Sequence, residues 1–329
     1  MRIPVNDLIK LSNLILVEHG LSGNDAEVVT DILIEAELRG RKTHGIMRLP
    51  GIVSKAKAKK RSPMRVAKEG RAYTLVDGRE NLGYLVAHRC ARTAIEKAKI
   101  SGIGIVSAFN TDHCGMLGYY VSMIASEKMI GLIMCDTYPR VVPWGGTEPV
   151  LGTNPLAVGI PFKDRPIIVD MSTASITNGA LLLASKAGEK IPKGYAFNVE
   201  GKITADPEEA LAGGVLPFGG HKGYALGLVV QILSGVLAGA AAIPRPEENY
   251  GITVIAVNPS IFMPIETFER NVAQLTETIK KAGPLEKDAE IRIPGERSLR
   301  EKANGMIDGV EVAYEVLEEL ENLLSLGAD

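Results

Sequence analysis

Gly102-Ile103-Gly104-Ile105-Val106-Ser107-Ala108, a helical stretch over 119–128, and then Ile130-Gly131-Leu132-Ile133-Met134-Cys135 form the run that decides the fold. Both apolar segments are short, rich in β-branched residues and free of charge, as strands buried on both faces are. A helical pattern over 86–99 precedes the first of them. Before that helix comes Ala72-Tyr73-Thr74-Leu75-Val76, closed by the turn Asp77-Gly78. Ile167-Ile168-Val169 and the segment 252–257 read as further strands. Strands alternating with helices predict an α/β domain. The flanks are helical. Leu8, Leu11, Ile15 and Leu16 recur at helical spacing, Gly20 is placed to end that helix, and Ser22 or Asn24 can cap the next. Segments 266–281 and 311–326 read as amphipathic helices, the second with Gly327 as its cap. Segment 136–161, with Pro139, Pro143, Pro149 and Pro155, reads as a long functional loop, and 224–243 as a buried helix.

The 329 residues suffice for a large core. A net charge of −2, from 37 basic and 39 acidic residues, gives no reason to expect nucleic acid or an anionic membrane as partner. Cys90, Cys114 and Cys135 are too widely spaced for a zinc knuckle or a disulfide framework. No segment has the layout of a signal peptide or of a membrane span, so a cytoplasmic protein is expected.

Chemistry concentrates in a few polar, glycine-bounded stretches. In Thr43-His44-Gly45-Ile46-Met47-Arg48, His44 and Arg48 lie four residues apart, on one face if the segment is helical. An imidazole beside a fixed cation suits proton transfer on a small organic acid. His113, in Thr111-Asp112-His113-Cys114-Gly115, is the second candidate; Asp112 precedes it, but neighbours on a strand point to opposite faces. Gly102-x-Gly104 lacks the third glycine of a dinucleotide fingerprint and reads as packing. Asp170-Met171-Ser172-Thr173-Ala174-Ser175 follows a strand, where it can cradle phosphate or simply cap a helix. Gly219-Gly220-His221-Lys222-Gly223 lets backbone approach a ligand beside a cation. Ile293-Pro294-Gly295-Glu296 alone is a Pro-Gly turn.

Taken together, these blocks resemble the type-2 malate/L-lactate dehydrogenase family, which also holds sulfolactate, ureidoglycolate and diketogulonate oxidoreductases and cyclic imino-acid reductases. Thr43-His44-Gly45…Arg48 is similar to its Ser-His-Gly-x-x-Arg signature, and Asn110-Thr111-Asp112-His113-Cys114-Gly115 to its Asn-Ser-Asn-His-Phe-Gly block. Leu151-Gly152-Thr153-Asn154-Pro155, Asp170-Met171-Ser172-Thr173, Gly219-Gly220-x-Lys222-Gly223 and Pro294-Gly295-Glu296 follow in the family's order. The resemblance implies NAD or NADP as cofactor, a small 2-hydroxy or 2-oxo acid as substrate, malate first, and a homodimer. It implies an α/β fold with a non-Rossmann, mixed-sheet nucleotide-binding domain (69–260), a helical N-terminal part bearing substrate residues (1–68), and C-terminal helices packing with that part (261–329). It makes His44 and His113 acid/base candidates and Arg48 the carboxylate clamp, with Thr43 beside the substrate. Arg140, in the long loop, reads either as a second cation for a dicarboxylate or sulfonate or as a surface arginine. Asp170, Met171, Ser172, Thr173, Ala174, His221, Lys222, Pro294, Gly295 and Glu296 would contact the dinucleotide. No metal is implied.

Three departures matter. Thr43 stands for the usual Ser and keeps the hydroxyl. Asp112 stands for Asn and is expected to raise the pKa of His113 if close to it. Cys114 stands for Phe and is expected to leave room in the pocket. Two other readings of the residues stay open: a metal-dependent hydrolase or lyase using His44, His113 and Asp170, and a binding protein without turnover.

Overall fold

The computed structural model describes residues 1–58, 62–163, 165–286 and 289–325. A two-residue strand, β1 (Arg2–Ile3), leads into α1 (Val5–Glu18) and α2 (Gly23–Leu38). Of the two capping candidates Ser22 is the one used: its hydroxyl accepts from the Asp25 amide at 3.2 Å. Two 3-10 turns, Lys42–His44 and Ile46–Arg48, separate α2 from α3 (Leu49–Ala58).

The main sheet holds β2 (Arg65–Glu69), β3 (Tyr73–Asp77), β4 (Ile103–Thr111), β5 (Ile130–Cys135), β6 (Leu156–Ile160), β7 (Ile167–Met171) and β11 (Tyr250–Val257). Their order is β2-β3-β4-β11-β5-β6-β7, and the sheet is mixed: β3 and β4 run parallel, every other neighbouring pair antiparallel. The α/β class is therefore right, but the alternating order of strands and helices concealed the pairing. β11 comes from far along the chain and inserts antiparallel between β4 and β5.

Two helices, α4 (Gly83–Ser101) and α5 (Leu117–Ser126), cover one face of this sheet. Gly104 explains why they lie so close: a Cβ there would sit 2.1 Å from the Ala94 carbonyl of α4. Gly102, at φ 81°, caps α4 in the left-handed region. Gly102-x-Gly104 is thus a cap and a close helix–sheet contact. On the opposite face, the Thr253 hydroxyl of β11 donates to the Leu233 carbonyl at 2.8 Å.

The stretch 136–161 is less loop-like than expected, since it contains β6 and pairs Val141 with Leu151. Beyond β7 come α6 (Asn178–Ala187) and α7 (Pro207–Ala212), with a small sheet of β8 (Ala196–Phe197), β9 (Ile203–Thr204) and β10 (Gly214–Val215). Val141, Leu151, Leu181, Ala196 and Val215 form a second, smaller core there. The apolar run 224–243 is not a buried helix. It is α8 (His221–Val230) continuing into a π-helical turn over Gln231–Val236, and Leu228, Val229, Ile232, Val236 and Leu237 are exposed.

The chain closes with α9 (Ile265–Lys280), α10 (Glu296–Asp308), β12 (Val310–Glu311) and α11 (Tyr314–Ser325). β12 pairs with β1, and Lys302 of α10 donates to Glu35 of α2 at 2.6 Å. Gly327 lies outside the described residues. Among the described residues no helix is long and apolar enough to cross a membrane.

Candidate active site

His44 and His113 come from different parts of the fold and meet. Their rings stack with centroids 5.6 Å apart and planes 27° apart. His44 ends the first 3-10 turn; His113 follows β4, just before α5. His44 and Arg48 do not share a helix. Gly45, with an extended ψ of −149°, separates the segment into two turns, and the Glu37 carboxylate fills the space beside it: a Cβ on Gly45 would lie 2.0 Å from Glu37 Oε1. That same oxygen accepts from the Ile46 amide at 2.9 Å and so holds the second turn in place. Arg48 then folds back, its Nε donating to the Thr43 carbonyl at 2.7 Å. The guanidinium is aimed by backbone.

Each imidazole is oriented by a distinct partner. His44 Nδ1 lies 3.0 Å from the Thr43 hydroxyl. His113 Nδ1 accepts from the Gly115 amide at 3.2 Å and lies 3.3 Å from the Tyr84 hydroxyl. A backbone N–H can only donate, so His113 carries its proton on Nε2. Burial and the Arg48 guanidinium depress both imidazoles, His44 to about 4 and His113 well below its ordinary range. Both shifts favour the neutral imidazoles.

Asp112 does not act on His113. Its carboxylate points the other way, accepting from the Gly83 amide at 2.6 Å and from Lys55 Nζ at 2.9 Å. The expected upward shift of His113 is absent because Lys55 takes up that charge. Cys114 is buried in the main core and does not line the site, so the room expected from it is not found there.

The histidines and Arg48 line a cavity of about 220 Å³ with Arg41, Thr137, Tyr138, Arg140, Asp170, Met171, Ser172, Asn178, Gly179, Glu247 and Tyr250 among its walls. Arg140 sits there with its Nη1 donating to the Leu211 carbonyl at 2.7 Å. Asp170 is held by the Gly118 amide at 2.8 Å, and burial raises its pKa. The other sequence-derived positions fall elsewhere. Thr173 is buried, its hydroxyl donating to the Thr153 carbonyl at 3.0 Å, and Ala174 pairs with Pro217. His221 opens α8 with its ring 6.2 Å from that of Trp144, and neither it nor Lys222 lines this cavity. Pro294 and Gly295 line an adjoining cavity that shares Arg41, Met116 and Asp170 with the first. Glu296 instead accepts from the Ile293 amide at 3.0 Å and pairs with Lys280. Sequence reasoning missed Arg41, Asn178, Gly179, Glu247 and Tyr250. Glu247 lies in Arg245-Pro246-Glu247-Glu248-Asn249, a polar turn in which no local pattern marks it. Among the described residues no three His, Cys, Asp or Glu side chains gather as metal ligands.

The sequence profile described as malate/L-lactate dehydrogenase matches residues 3–321. The chain belongs to that family. Similar members include the malate/(S)-sulfolactate dehydrogenase of Methanothermus fervidus, 38% identical over 96% of this chain and 94% of that one. The Delta(1)-pyrroline-2-carboxylate/Delta(1)-piperideine-2-carboxylate reductase of Pseudomonas putida is 30% identical over 98% and 97%. Among solved structures, sulfolactate dehydrogenase from Methanocaldococcus jannaschii superposes with a TM-score of 0.92 at 35% identity, covering 100% of this chain and 98% of that one. A malate/L-lactate dehydrogenase family member is an oxidoreductase, so the paired imidazoles and the aimed guanidinium belong to a redox enzyme.

Proposed function

We propose that this oxidoreductase interconverts a 2-hydroxy acid and a 2-oxo acid, with malate and oxaloacetate as the preferred pair and NAD or NADP as cofactor. The observation that carries the reading is the stacked His44–His113 pair beside an arginine whose orientation is fixed by the Thr43 carbonyl. Arg48 offers its Nη groups to the substrate carboxylate, which orients the adjacent carbonyl toward the imidazoles. Three cations, Arg41, Arg48 and Arg140, face two carboxylates, Asp170 and Glu247, in the cleft walls, and the arginines suit a substrate with two anionic groups. Relatives named for malate and for sulfolactate are consistent with that charge.

The two histidines support different roles. His113, with Nδ1 occupied by a donor, gains a second proton only by breaking its bond to Gly115; it serves as a neutral Nε2–H donor to the substrate oxygen. His44 faces a hydroxyl that can accept as well as donate, so it can hold protons on both nitrogens and is the proton carrier. A substrate carboxylate on Arg48 offsets the charge that depresses His44 and raises its proton affinity as the substrate binds.

The residues fit a nicotinamide cofactor. The cleft continues past Asp170 into the cavity walled by Pro294 and Gly295. Gly295, at φ 94°, lets its loop pack directly on β7, where a Cβ would lie 3.1 Å from the Ile168 amide nitrogen, and Ile168 and Gly295 both wall the cavity. When bound, the nicotinamide supplies or accepts the hydride. Asp170, at the junction of the two cavities, and Pro294 and Gly295 beyond it would hold the group, while His44 handles the proton.

The test is oxidation of NADH and NADPH, followed by absorbance, with oxaloacetate, sulfopyruvate, pyruvate and a cyclic imino acid. Oxaloacetate is expected to give the highest kcat/KM and pyruvate one at least about tenfold lower. Pyruvate as the best substrate overturns the dianion reading; no turnover with any of the four overturns the reaction.

A further inference from the structure

We infer that Lys55 is a positioning residue for substrate charge: it anchors Glu247 and offsets its carboxylate, so that the cleft admits a second anionic group on the substrate. The inference rests on the dehydrogenase reading of that cleft.

Glu247 stands out in a site suited to an organic acid. It shares the cleft walls with Arg41, Arg48 and Arg140, and an uncompensated carboxylate there would repel an anionic substrate. The backbone does not let it leave. Glu247 and Asn249 both sit in the left-handed region, at φ 60° and 50°. The Glu247 amide donates to the Tyr250 hydroxyl at 2.9 Å, and Asn249 Oδ1 accepts from the Asn110 amide at 2.9 Å. Non-glycine residues persist in that region only where surrounding contacts fix them, so the turn holds Glu247 at the cleft.

Lys55, on α3, supplies the compensation from outside the cleft. With Asp112 and Glu247 it walls a second cavity of about 420 Å³. Its Nζ donates to the Glu247 carboxylate and, at 2.9 Å, to Asp112 Oδ2. Asp112 is the anchor: its other oxygen accepts from the Gly83 amide at 2.6 Å, and its side chain is only 12% exposed. A neutral Asn at that position would hold an ammonium less strongly. Burial opposes charge on Lys55, but the two carboxylates outweigh it and raise its pKa above the ordinary lysine value. The field of the ammonium reaches the reacting groups as well. After burial, Arg48 and His44, Lys55 is the next influence that lowers the pKa of His113.

Taking away the Lys55 charge leaves two carboxylates together. Buried Asp112, whose pKa burial already raises, is the one to take up a proton. Glu247, with its side chain 44% exposed, keeps its charge beside the substrate. The same exposure lets water screen that charge, so the expected effect is a modest factor.

The test compares kcat/KM for oxaloacetate, with two carboxylates, and pyruvate, with one. The variants are Lys55→Gln, Lys55→Ala, Lys55→Arg and Lys55→Gln combined with Glu247→Gln. Two neutral replacements are used so that a folding failure of one leaves the other. The readout is the oxaloacetate-to-pyruvate ratio, whose change on substitution is defined whichever acid wild type prefers. Each neutral replacement should lower that ratio about three- to tenfold, through the KM for oxaloacetate. Lys55→Arg should keep the ratio, and adding Glu247→Gln should restore it to within about twofold. Equal losses for both acids, or a lowered ratio that Glu247→Gln does not repair, overturn the inference. A wild type that prefers pyruvate, with a ratio that still falls in Lys55→Gln and recovers in the double variant, keeps the inference and removes the malate preference alone. If neither acid turns over, calorimetric titration with malonate and oxamate reads the same dianion-to-monoanion ratio in binding; a ratio there that ignores Lys55, or no binding of either, also overturns it.

Discussion

At the scale of single residues, two histidines of the same chemical type have different Nδ1 partners, and under the proposed reaction that sets them different tasks. The division has a direct consequence. A glutamine side chain keeps a neutral N–H donor, so His113→Gln should retain markedly more turnover than His113→Ala, whose loss of one donor costs about 10²–10³ in kcat. His44→Gln should be no better than His44→Ala, because neither can carry a proton. Equal kcat for the two substitutions at His113 would refute its role as donor. Glu37 offers a test of stability at the same scale. Burial pushes its carboxyl up to about 7, opposed by the Ile46 amide and Lys42. A group with a raised folded-state pKa binds more protons folded than unfolded, so its contribution falls as pH rises from about 4.5 to 7. Glu37→Gln keeps the oxygen that accepts from Ile46 and has no such dependence. Urea melts at pH 5 and pH 8 should show wild type losing on the order of 2–3 kcal/mol more than the variant across that interval. Parallel losses would mean that Glu37 is already ionised at the lower pH.

At the scale of elements, α6 matters because its first turn presses on the 3-10 turn that carries His44. A Cβ on Gly179 would lie 2.7 Å from the Thr43 Cβ, and Thr43 is the residue that orients both His44 and Arg48. Gly179→Ala should therefore lower kcat/KM by about tenfold or more while shifting Tm by only a few degrees, as expected when a small displacement misaligns reacting groups. An unchanged kcat/KM would show that α6 gives way instead of Thr43. Nothing local announced this contact, and the reason is general. Elements whose signal lies in their own residues were legible: β5 in its uninterrupted apolar run, α4 in its spacing, the α2 cap in Ser22. What depends on distant partners was not. β11 finds its place between strands 120 to 150 residues earlier, and α10, a strongly polar 13-residue helix, had left only a Pro-Gly turn to read. The site follows the same rule. Local residue patterns and family blocks singled out His44, Arg48, His113 and Asp170, whereas Arg41, Tyr84 and Glu247 join the site only through where the chain brings them.

At the scale of the whole molecule, exposed apolar residues gather along one element. Leu228, Val229, Ile232, Val236 and Leu237 are 39%, 46%, 46%, 51% and 66% exposed and lie along α8 and its π-helical extension. Their other neighbours bind that segment firmly: the Ser234 hydroxyl donates to the Val230 carbonyl at 2.6 Å, and Gln231 is buried against Asp136 and Asn154. The stripe is rigid, apolar and uncovered, and a contiguous patch of this kind marks an association surface. A second copy of the chain is the occupant we propose, in keeping with the homodimer that the family resemblance implies. Sedimentation equilibrium should give about twice the chain mass at micromolar concentration. Val229→Glu combined with Val236→Glu should give the monomer mass, since two carboxylates cannot be buried unpaired in such an interface. Both positions are exposed in the single chain, so far-ultraviolet circular dichroism of the double variant should match wild type. A wild-type monomer, or a double variant that remains dimeric with its fold intact, would remove this surface as the interface and direct attention to α9, where Leu275 and Ile279 are also exposed.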